Sequence, residues 1–195
     1  MKIHACGQLL ADQCRLSSIV PPSGTPLAGN AKTILGMAHA YEKDGSTFYA
    51  NGDLVNAHAA YYYGFGWLHF GLVSGFLFQQ GYPKPACPFA GPYERLPRSL
   101  LEQLTEKTYR YERLLRTACD SVKPAPQPMT GSHFYALRIL MVATSYAKGG
   151  HACLGSGTDE KEAALARFSY GHGWLDAGVR SGLFVITGNN DLFTV

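Results

Sequence analysis

The apolar residues of this chain follow the helical period over six long segments. Between residues 28 and 50, Ala31, Ile34, Ala38 and Tyr41 recur every three or four positions, which predicts a helix with one buried face. No segment alternates apolar and polar residues with the period of two that half-buried strands need. The pattern therefore predicts an all-α protein whose helices span 2–18, 28–50, 53–78, 97–122, 132–154 and 159–186.

Turn and capping residues mark several of these predicted ends. Pro21 and Pro22 end the first helix, because proline lacks the amide hydrogen that a helix interior requires. Asp53 is a suitable N-cap for the third helix. At the start of the last helix, Asp159 is followed three residues later by Glu162, which is a capping-box arrangement.

An internal repeat relates the two halves of the chain. The hexapeptide Tyr-Gly-Phe-Gly-Trp-Leu at 63–68 recurs as Tyr-Gly-His-Gly-Trp-Leu at 170–175, which is 107 positions later. Upstream, Ile34 matches Ile139 at an offset of 105, so the second copy gains two residues, which we place near 155–159. Such self-similarity predicts two copies of one structural unit.

The repeat and the prolines define the expected domain organisation. We predict a first three-helix unit at 1–78, a connector at 79–96 and a second three-helix unit at 97–195, related by pseudo-symmetry. The connector contains four prolines, which stiffen it and prevent a helix. We expect Trp67 and Trp174 to occupy equivalent environments.

The third predicted helix raises the question of a membrane span. Residues 54–83 contain no Asp, Glu, Lys or Arg, and their apolar run is long enough to cross a bilayer. The second copy, however, places Arg167, Asp176 and Arg180 at the positions of Ala60, His69 and Val73. Charges at those positions indicate an amphipathic helix, so we expect no membrane partner.

Composition excludes several classes of protein. A net charge of +3 gives no electrostatic reason to favour nucleic acid or an anionic membrane. Five cysteines without a Cys-x-x-Cys pair exclude a dense disulfide framework and a zinc ribbon. The histidines show no metal-binding spacing, so we expect no metal and no cofactor. No secretory signal is recognisable at residues 1–8, and free thiols suit a cytoplasmic protein.

The second copy resembles a known family. Its segment 164–180, which contains Tyr170, Trp174 and Asp176, and the terminal residues 192–195 resemble the archaeal family called domain of unknown function 357. The resemblance implies a short three-helix bundle per copy, with a Tyr-x-x-Gly-x-Leu-Asp-Ala-Gly type signature on the last helix, and an archaeal cytoplasm. It implies no activity. The first copy departs from the signature, because His69 stands at the position of the aspartate.

Conserving glycine inside both copies of a helix requires a reason, because each glycine costs about 1 kcal/mol relative to alanine. Gly64 and Gly71 in the first copy correspond to Gly171 and Gly178 in the second, at heptad spacing. Close helix packing is the favoured interpretation, and contact with a ligand is the alternative. We predict that the third helix of each unit makes its closest helix contact near Gly64 and Gly171.

Two residues of the last helix suggest a catalytic alternative. Arg167 and His172 lie a helical turn or so apart, which is similar to the arginine and histidine of helical HEPN-type ribonucleases. His172 aligns with Phe65, which favours a core histidine instead. Asp176 and Arg180 have the spacing of a solvated surface pair. The arginines of the fourth helix alternate with glutamates, which indicates a mixed-charge face rather than an RNA-binding strip.

The uncharged first copy suggests a function in association. Tyr62, His69 and Val73 stand where the second copy has Ser169, Asp176 and Arg180. We expect these three residues to be buried, under the connector with Tyr82 and Phe89, under the second unit, or under another chain. The leading hypothesis is a non-enzymatic interaction or scaffold protein that forms a homodimer and binds an unknown protein partner. The alternatives are an RNA-associated or nuclease-like protein using Arg167 and His172, and a small-ligand site between the units near Trp67 and Trp174.

Overall fold

Helices dominate the fold. A computed structural model of the protein describes residues 2–80, 88–89, 93–155 and 160–194. The helices in this part of the chain are α1 (Ile3–Leu16), α2 (Pro26–Ala50), α3 (Leu54–Val73), α4 (Leu101–Asp120), α5 (Gly131–Gly155) and α6 (Lys161–Arg180), with 3-10 turns at Arg98–Leu100 and Asn190–Leu192. The prediction of an all-α protein built from two three-helix units is confirmed.

Short strands replace the ends of four predicted helices. Strand β1 (Ser17–Ile19) pairs antiparallel with β2 (Leu77–Gln79), with Ser18 opposite Phe78. In the second unit, β3 (Val122–Pro124) pairs in the same way with β4 (Phe184–Ile186). The predicted helices that run through these residues are therefore too long. Gly75 and Gly182 explain the two C-terminal cases, because both adopt positive φ, 74° and 77°, directly after a helix.

The two family-signature helices form the centre of the molecule. Helices α3 and α6 run side by side in the same direction, since His58 contacts Glu162 near their N-termini and Phe70 contacts Trp174 near their C-termini. Sixteen of the twenty residues of α3 and eighteen of the twenty of α6 are buried. Helices α1 and α2 pack on α3, while α4 and α5 pack on α6. In this central position α3 has no charged residue, whereas the buried Glu162 and Asp176 of α6 accept hydrogen bonds.

The apolar character of α3 therefore belongs to a protein core. Among the described residues, none of the helices combines the length and the apolar character that a membrane span requires.

The caps were partly predictable. The Asp53 carboxylate accepts a hydrogen bond from the Asn56 amide at 3.2 Å, so the predicted N-cap is confirmed. Asp159 lies outside the described residues. Glu162 does not complete a capping box with any described residue; its carboxylate accepts hydrogen bonds from the Leu96 amide at 3.0 Å and the Arg95 guanidinium at 3.1 Å. This glutamate ties the end of the connector to α6.

Candidate functional site

The two units meet where α3 and α6 cross at a pair of glycines. A Cβ atom on Gly66 would lie against the Tyr170 carbonyl oxygen and 2.6 Å from the Trp174 amide nitrogen. A Cβ atom on Gly173 would lie against the Tyr63 carbonyl oxygen. The backbones are therefore in direct contact, and only glycine fits at either position. The closest helix contact lies at these two glycines and not at the predicted positions two residues earlier.

The predicted glycines pack the helices inside each unit instead. A Cβ atom on Gly64 would lie 2.8 Å from Leu10 Cδ2, and one on Gly171 would lie 2.9 Å from Leu115 Cδ2. Gly71 and Gly178 repeat this relation with equivalent isoleucines, Ile34 and Ile139, at 2.8 and 3.0 Å. The contacts match the close-packing interpretation and show that α1 and α4 are equivalent at an offset of 105.

Two tyrosines cross the boundary between the units. The Tyr63 hydroxyl donates to Asp176 Oδ2 at 2.8 Å, and the Tyr170 hydroxyl lies 3.1 Å from His69 Nδ1. Tyr63 and Tyr170 are equivalent in the repeat, as are His69 and Asp176. The tyrosine of each unit therefore hydrogen-bonds the equivalent residue of the other unit, which is an aspartate in one case and a histidine in the other.

Asp176 also anchors the C-terminal segment. Its Oδ1 accepts from the Thr194 amide at 3.0 Å and its Oδ2 accepts from the Thr194 hydroxyl at 2.6 Å. The side chain is fully buried, whereas Arg180 is exposed and makes no ion pair within the described residues. The interpretation of Asp176 and Arg180 as a solvated pair is therefore wrong, because the tail covers the carboxylate and supplies its hydrogen bonds.

Comparison with protein families matches both repeated halves. A family described as "Protein of unknown function (DUF357)" matches residues 7–77 and residues 110–184. The chain belongs to the DUF357 family. The two matched regions confirm two tandem copies. Neither the curated proteins nor the solved structures contain a match to this chain.

The departure of the first DUF357 copy from the signature now has a structural explanation. Burial lowers the pKa of His69 to about 4, so its ring is neutral near pH 7. The Nε2–H donates to Gln13 Oε1 at 3.1 Å, which leaves Nδ1 to accept from the Tyr170 hydroxyl. Histidine therefore satisfies the tyrosine in the first copy, as the Asp176 carboxylate does in the second.

The connector covers the aromatic face of the first DUF357 unit. The Tyr62 hydroxyl donates to the Pro88 carbonyl at 2.8 Å. The Phe89 ring lies 5.3 Å from the Tyr62 ring, 5.2 Å from Tyr170 and 5.3 Å from Tyr146, measured between ring centroids. Phe89 is thus one of the expected covers. The other named connector aromatic, Tyr82, lies outside the described residues.

Burial of the predicted association residues follows from contacts within one chain. Tyr62 and His69 are buried by the contacts described above, so they need no second chain. Val73 is 62% exposed in the single chain, so of the predicted covers only another chain could bury it. The reason for its exposure is its position as the last residue of α3. Its neighbour Ser74 is hydrogen-bonded to the Tyr135 hydroxyl at 2.5 Å, which brings the end of α3 to the start of α5.

Arg167 and His172 have different surroundings. His172 Nε2 donates to the Leu192 carbonyl at 3.0 Å, and its ring packs between Tyr63 and Phe193. Burial lowers the pKa of His172. The Arg167 guanidinium donates to the Ala163 carbonyl at 3.1 Å and faces the Phe89 ring. The described structure therefore does not bring the two proposed nuclease residues into one cleft.

The two tryptophans and two of the cysteines are core residues. Trp67 and Trp174 are both buried, and neither indole N–H has a hydrogen-bond partner within the described residues. Burial raises the pKa of the Cys6 and Cys14 thiols to about 12, so both stay protonated. Across 2–80, 88–89, 93–155 and 160–194, no three His, Cys, Asp or Glu side chains are grouped to hold a metal ion.

An exposed apolar surface on the second unit was missed by the sequence patterns. Met129, just before α5, and Phe134, Leu137 and Met141, in its first half, are exposed, and we call these four residues the α5 face. Their equivalents in the first unit, at the offset of 105, are Gly24, Gly29, Lys32 and Gly36. The alignment is fixed by Thr25 and Thr130, whose hydroxyls cap α2 and α5 in the same way. A comparison of the two copies by surface position could have found this difference.

Proposed function

We propose that this protein is a non-enzymatic interaction module that associates with a second copy of itself through the α5 face. The observation that carries the proposal is the exposure of four large apolar side chains where the first unit has three glycines and a lysine. Contiguous apolar surface is uncommon on monomers and often marks an interface. The first unit has the same helices without these side chains, so the fold does not require them.

Backbone strain at Met129 supports the same interpretation. Met129 adopts a φ of 67°, while the equivalent Gly24 adopts a φ of 84°. A methionine in this conformation costs roughly 1 kcal/mol, which glycine avoids. The Met129 side chain is 81% exposed and gains little from contacts within its own chain. A contact between the Met129 side chain and another molecule would explain why methionine occupies this strained position.

The spacing of the α5 face fits self-association. Phe134, Leu137 and Met141 occupy one stripe, at intervals of three and four residues. Antiparallel pairing of two α5 helices about a twofold axis would place each Phe134 against the opposite Met141, with the two Leu137 side chains at the centre. One surface then serves both copies, which is the usual arrangement in homodimers.

The association is tested by analytical ultracentrifugation of the full chain. Leu137→Lys introduces the residue that the first unit uses, and we expect it to weaken the dimer. Tyr109→Lys on α4 is the control, because Tyr109 is 43% exposed and Leu137 is 41% exposed. A wild-type protein that stays monomeric at high micromolar concentration, or equal weakening by both variants, contradicts the proposal.

The salt dependence of the dimer tests whether α5 forms the interface. The only Lys or Arg residues of α5 are Arg138 and Lys148, and the helix contains no Asp or Glu. Two α5 helices brought together repel each other electrostatically, so added salt should strengthen the dimer. A dimer that weakens with salt would place the interface elsewhere.

A further inference from the structure

A cavity lies between α4 and α5 on the second unit, in the half of α5 that follows Met141. Its volume is about 400 Å³, which is within the usual range for small-molecule sites. It is lined by Glu112, Arg116, Thr144, Ala147, Lys148 and His151.

In the first unit, an aromatic side chain reaches across the equivalent groove. The Tyr61 ring lies against Gly7 and Gly45, and its hydroxyl is 3.3 Å from the Ser46 hydroxyl. The second unit has Phe168 at the equivalent position, packed against Gly150. Phe168 has no hydroxyl that could contact α5 as the Tyr61 hydroxyl contacts Ser46 on α2. Phe168 therefore does not span this part of the groove.

The groove also changes charge between the two copies. Arg116 replaces Ala11, and Ala147 replaces Glu42, while Lys148 retains the lysine of the first unit. The Glu112 carboxylate is engaged by His151 Nδ1 at 2.8 Å. Neither Arg116 nor Lys148 makes an ion pair within the described residues. Glu112 itself replaces Gly7, so the lining has two cations, Arg116 and Lys148, and one anion, whereas the equivalent groove of the first unit has one cation and one anion.

We propose that this cavity binds a small organic anion, with a carboxylate or phosphate head and a compact apolar body. The Arg116 guanidinium suits such a head, because its planar fork donates two parallel hydrogen bonds to paired oxygen atoms. Lys148 supplies a second charge. The Thr144 methyl group, Ala147 and the methylene groups of the two long side chains form the walls that contact the apolar body.

The proposal is tested by titrating the full chain with phenyl phosphate, benzoate and benzyl alcohol, followed by amide NMR. We expect at least one anion to shift the amide signals of residues 144–151, while the neutral alcohol does not. The anion that binds more tightly identifies the preferred head group. Failure of both anions to shift these signals, or equal shifts with benzyl alcohol, overturns the proposal.

Two matched variants test the charges. Arg116→Gln should weaken binding of the anion by about tenfold or more, since a hydrogen bond to a charged group contributes about 1.5–3 kcal/mol. Lys43→Gln alters the lysine equivalent to Lys148 in the first unit and should leave binding unchanged. Equal affinity for all three proteins overturns the proposal. Leu137→Lys should still bind the anion, so failure of self-association and failure of this site are distinguishable.

Discussion

Substituting one glycine at the centre of the molecule tests whether the two units depend on direct backbone contact. In Gly173→Ala, the new methyl group would overlap the Tyr63 carbonyl oxygen and lie 3.1 Å from the Tyr63 carbonyl carbon. The neighbouring atoms are backbone atoms of a buried helix, which cannot rotate away as a flexible side chain could. Relief therefore requires α3 and α6 to separate, and this disturbs packing along both helices.

The net effect combines two opposing contributions. Alanine favours the helix by about 1 kcal/mol relative to glycine, whereas overpacking of a close contact costs about 1–3 kcal/mol and occasionally more. Because this contact involves backbone, we place the overpacking at or above the upper end of that range and expect a net loss of roughly 2 kcal/mol. For a chain of this size, each kcal/mol lowers the Tm by roughly 2–4 °C.

Urea and thermal unfolding, followed by circular dichroism, measure this loss. Gly36→Ala is the control, because Gly36 lies within α2 and a Cβ atom there would meet no other atom within 4 Å. This variant should gain up to about 1 kcal/mol from helix propensity alone. If Gly173→Ala is as stable as wild type, or gains stability as Gly36→Ala does, the two helices do not require contact at this glycine.

Three further predictions concern the core and the tail. Gly171→Leu should cost on the order of 1–3 kcal/mol or more through overpacking against Leu115, and an unchanged Tm would contradict this packing. Asp176→Ala should cost on the order of 1–3 kcal/mol, because it leaves the buried Tyr63 hydroxyl without an acceptor and releases Thr194; urea unfolding measures it, and near wild-type stability would show that water replaces the carboxylate. Burial lowers the pKa of His69 from 6.5 to about 4, so the unfolded chain binds the proton more readily than the folded one between these values. Stability should therefore fall with pH from about 6.5 towards 4, by on the order of 3 kcal/mol from this residue, and a flat unfolding profile across that window would refute the assignment.

The helical architecture was predictable because its signals are long and repeated. The period of apolar residues extends over many turns, and the hexapeptide at 63–68 reappears almost unchanged at 170–175. The strands were not predictable from alternation, because three residues are too few to show a period of two. Their available signal was the Ser-Gly pair that follows both α3 and α6, Ser74-Gly75 and Ser181-Gly182, where each glycine adopts a left-handed conformation.

The environment of Asp176 was harder to predict. A carboxylate four residues before an arginine has the same spacing whether the pair is solvated or the carboxylate is buried. The decisive contact comes from Thr194, eighteen residues later, and depends on how the C-terminal segment folds back. The better sequence indication was His69, which stands at the equivalent position in the first copy. A histidine and a solvent-exposed carboxylate rarely have the same structural role, so this pair of residues favoured a buried Asp176.

The distribution of differences between the copies suggests where function resides. Residues at the interface of the units are constrained by one another: Gly66 and Gly173 must both be glycine, and each tyrosine requires an acceptor on the opposite helix. No such constraint acts on the outer helices. There the second unit acquires both the exposed α5 face and the positive groove containing Arg116, while the first unit has three glycines and Lys32 in place of the α5 face and Ala11 in place of Arg116. Exposed apolar surface opposes solubility, and unpaired like charges destabilise the compact state by repulsion, so these substitutions bring no gain in folding. Their concentration on α4 and α5 therefore favours a division of roles in which the first unit supports the central helix pair and the second unit makes the contacts with other molecules.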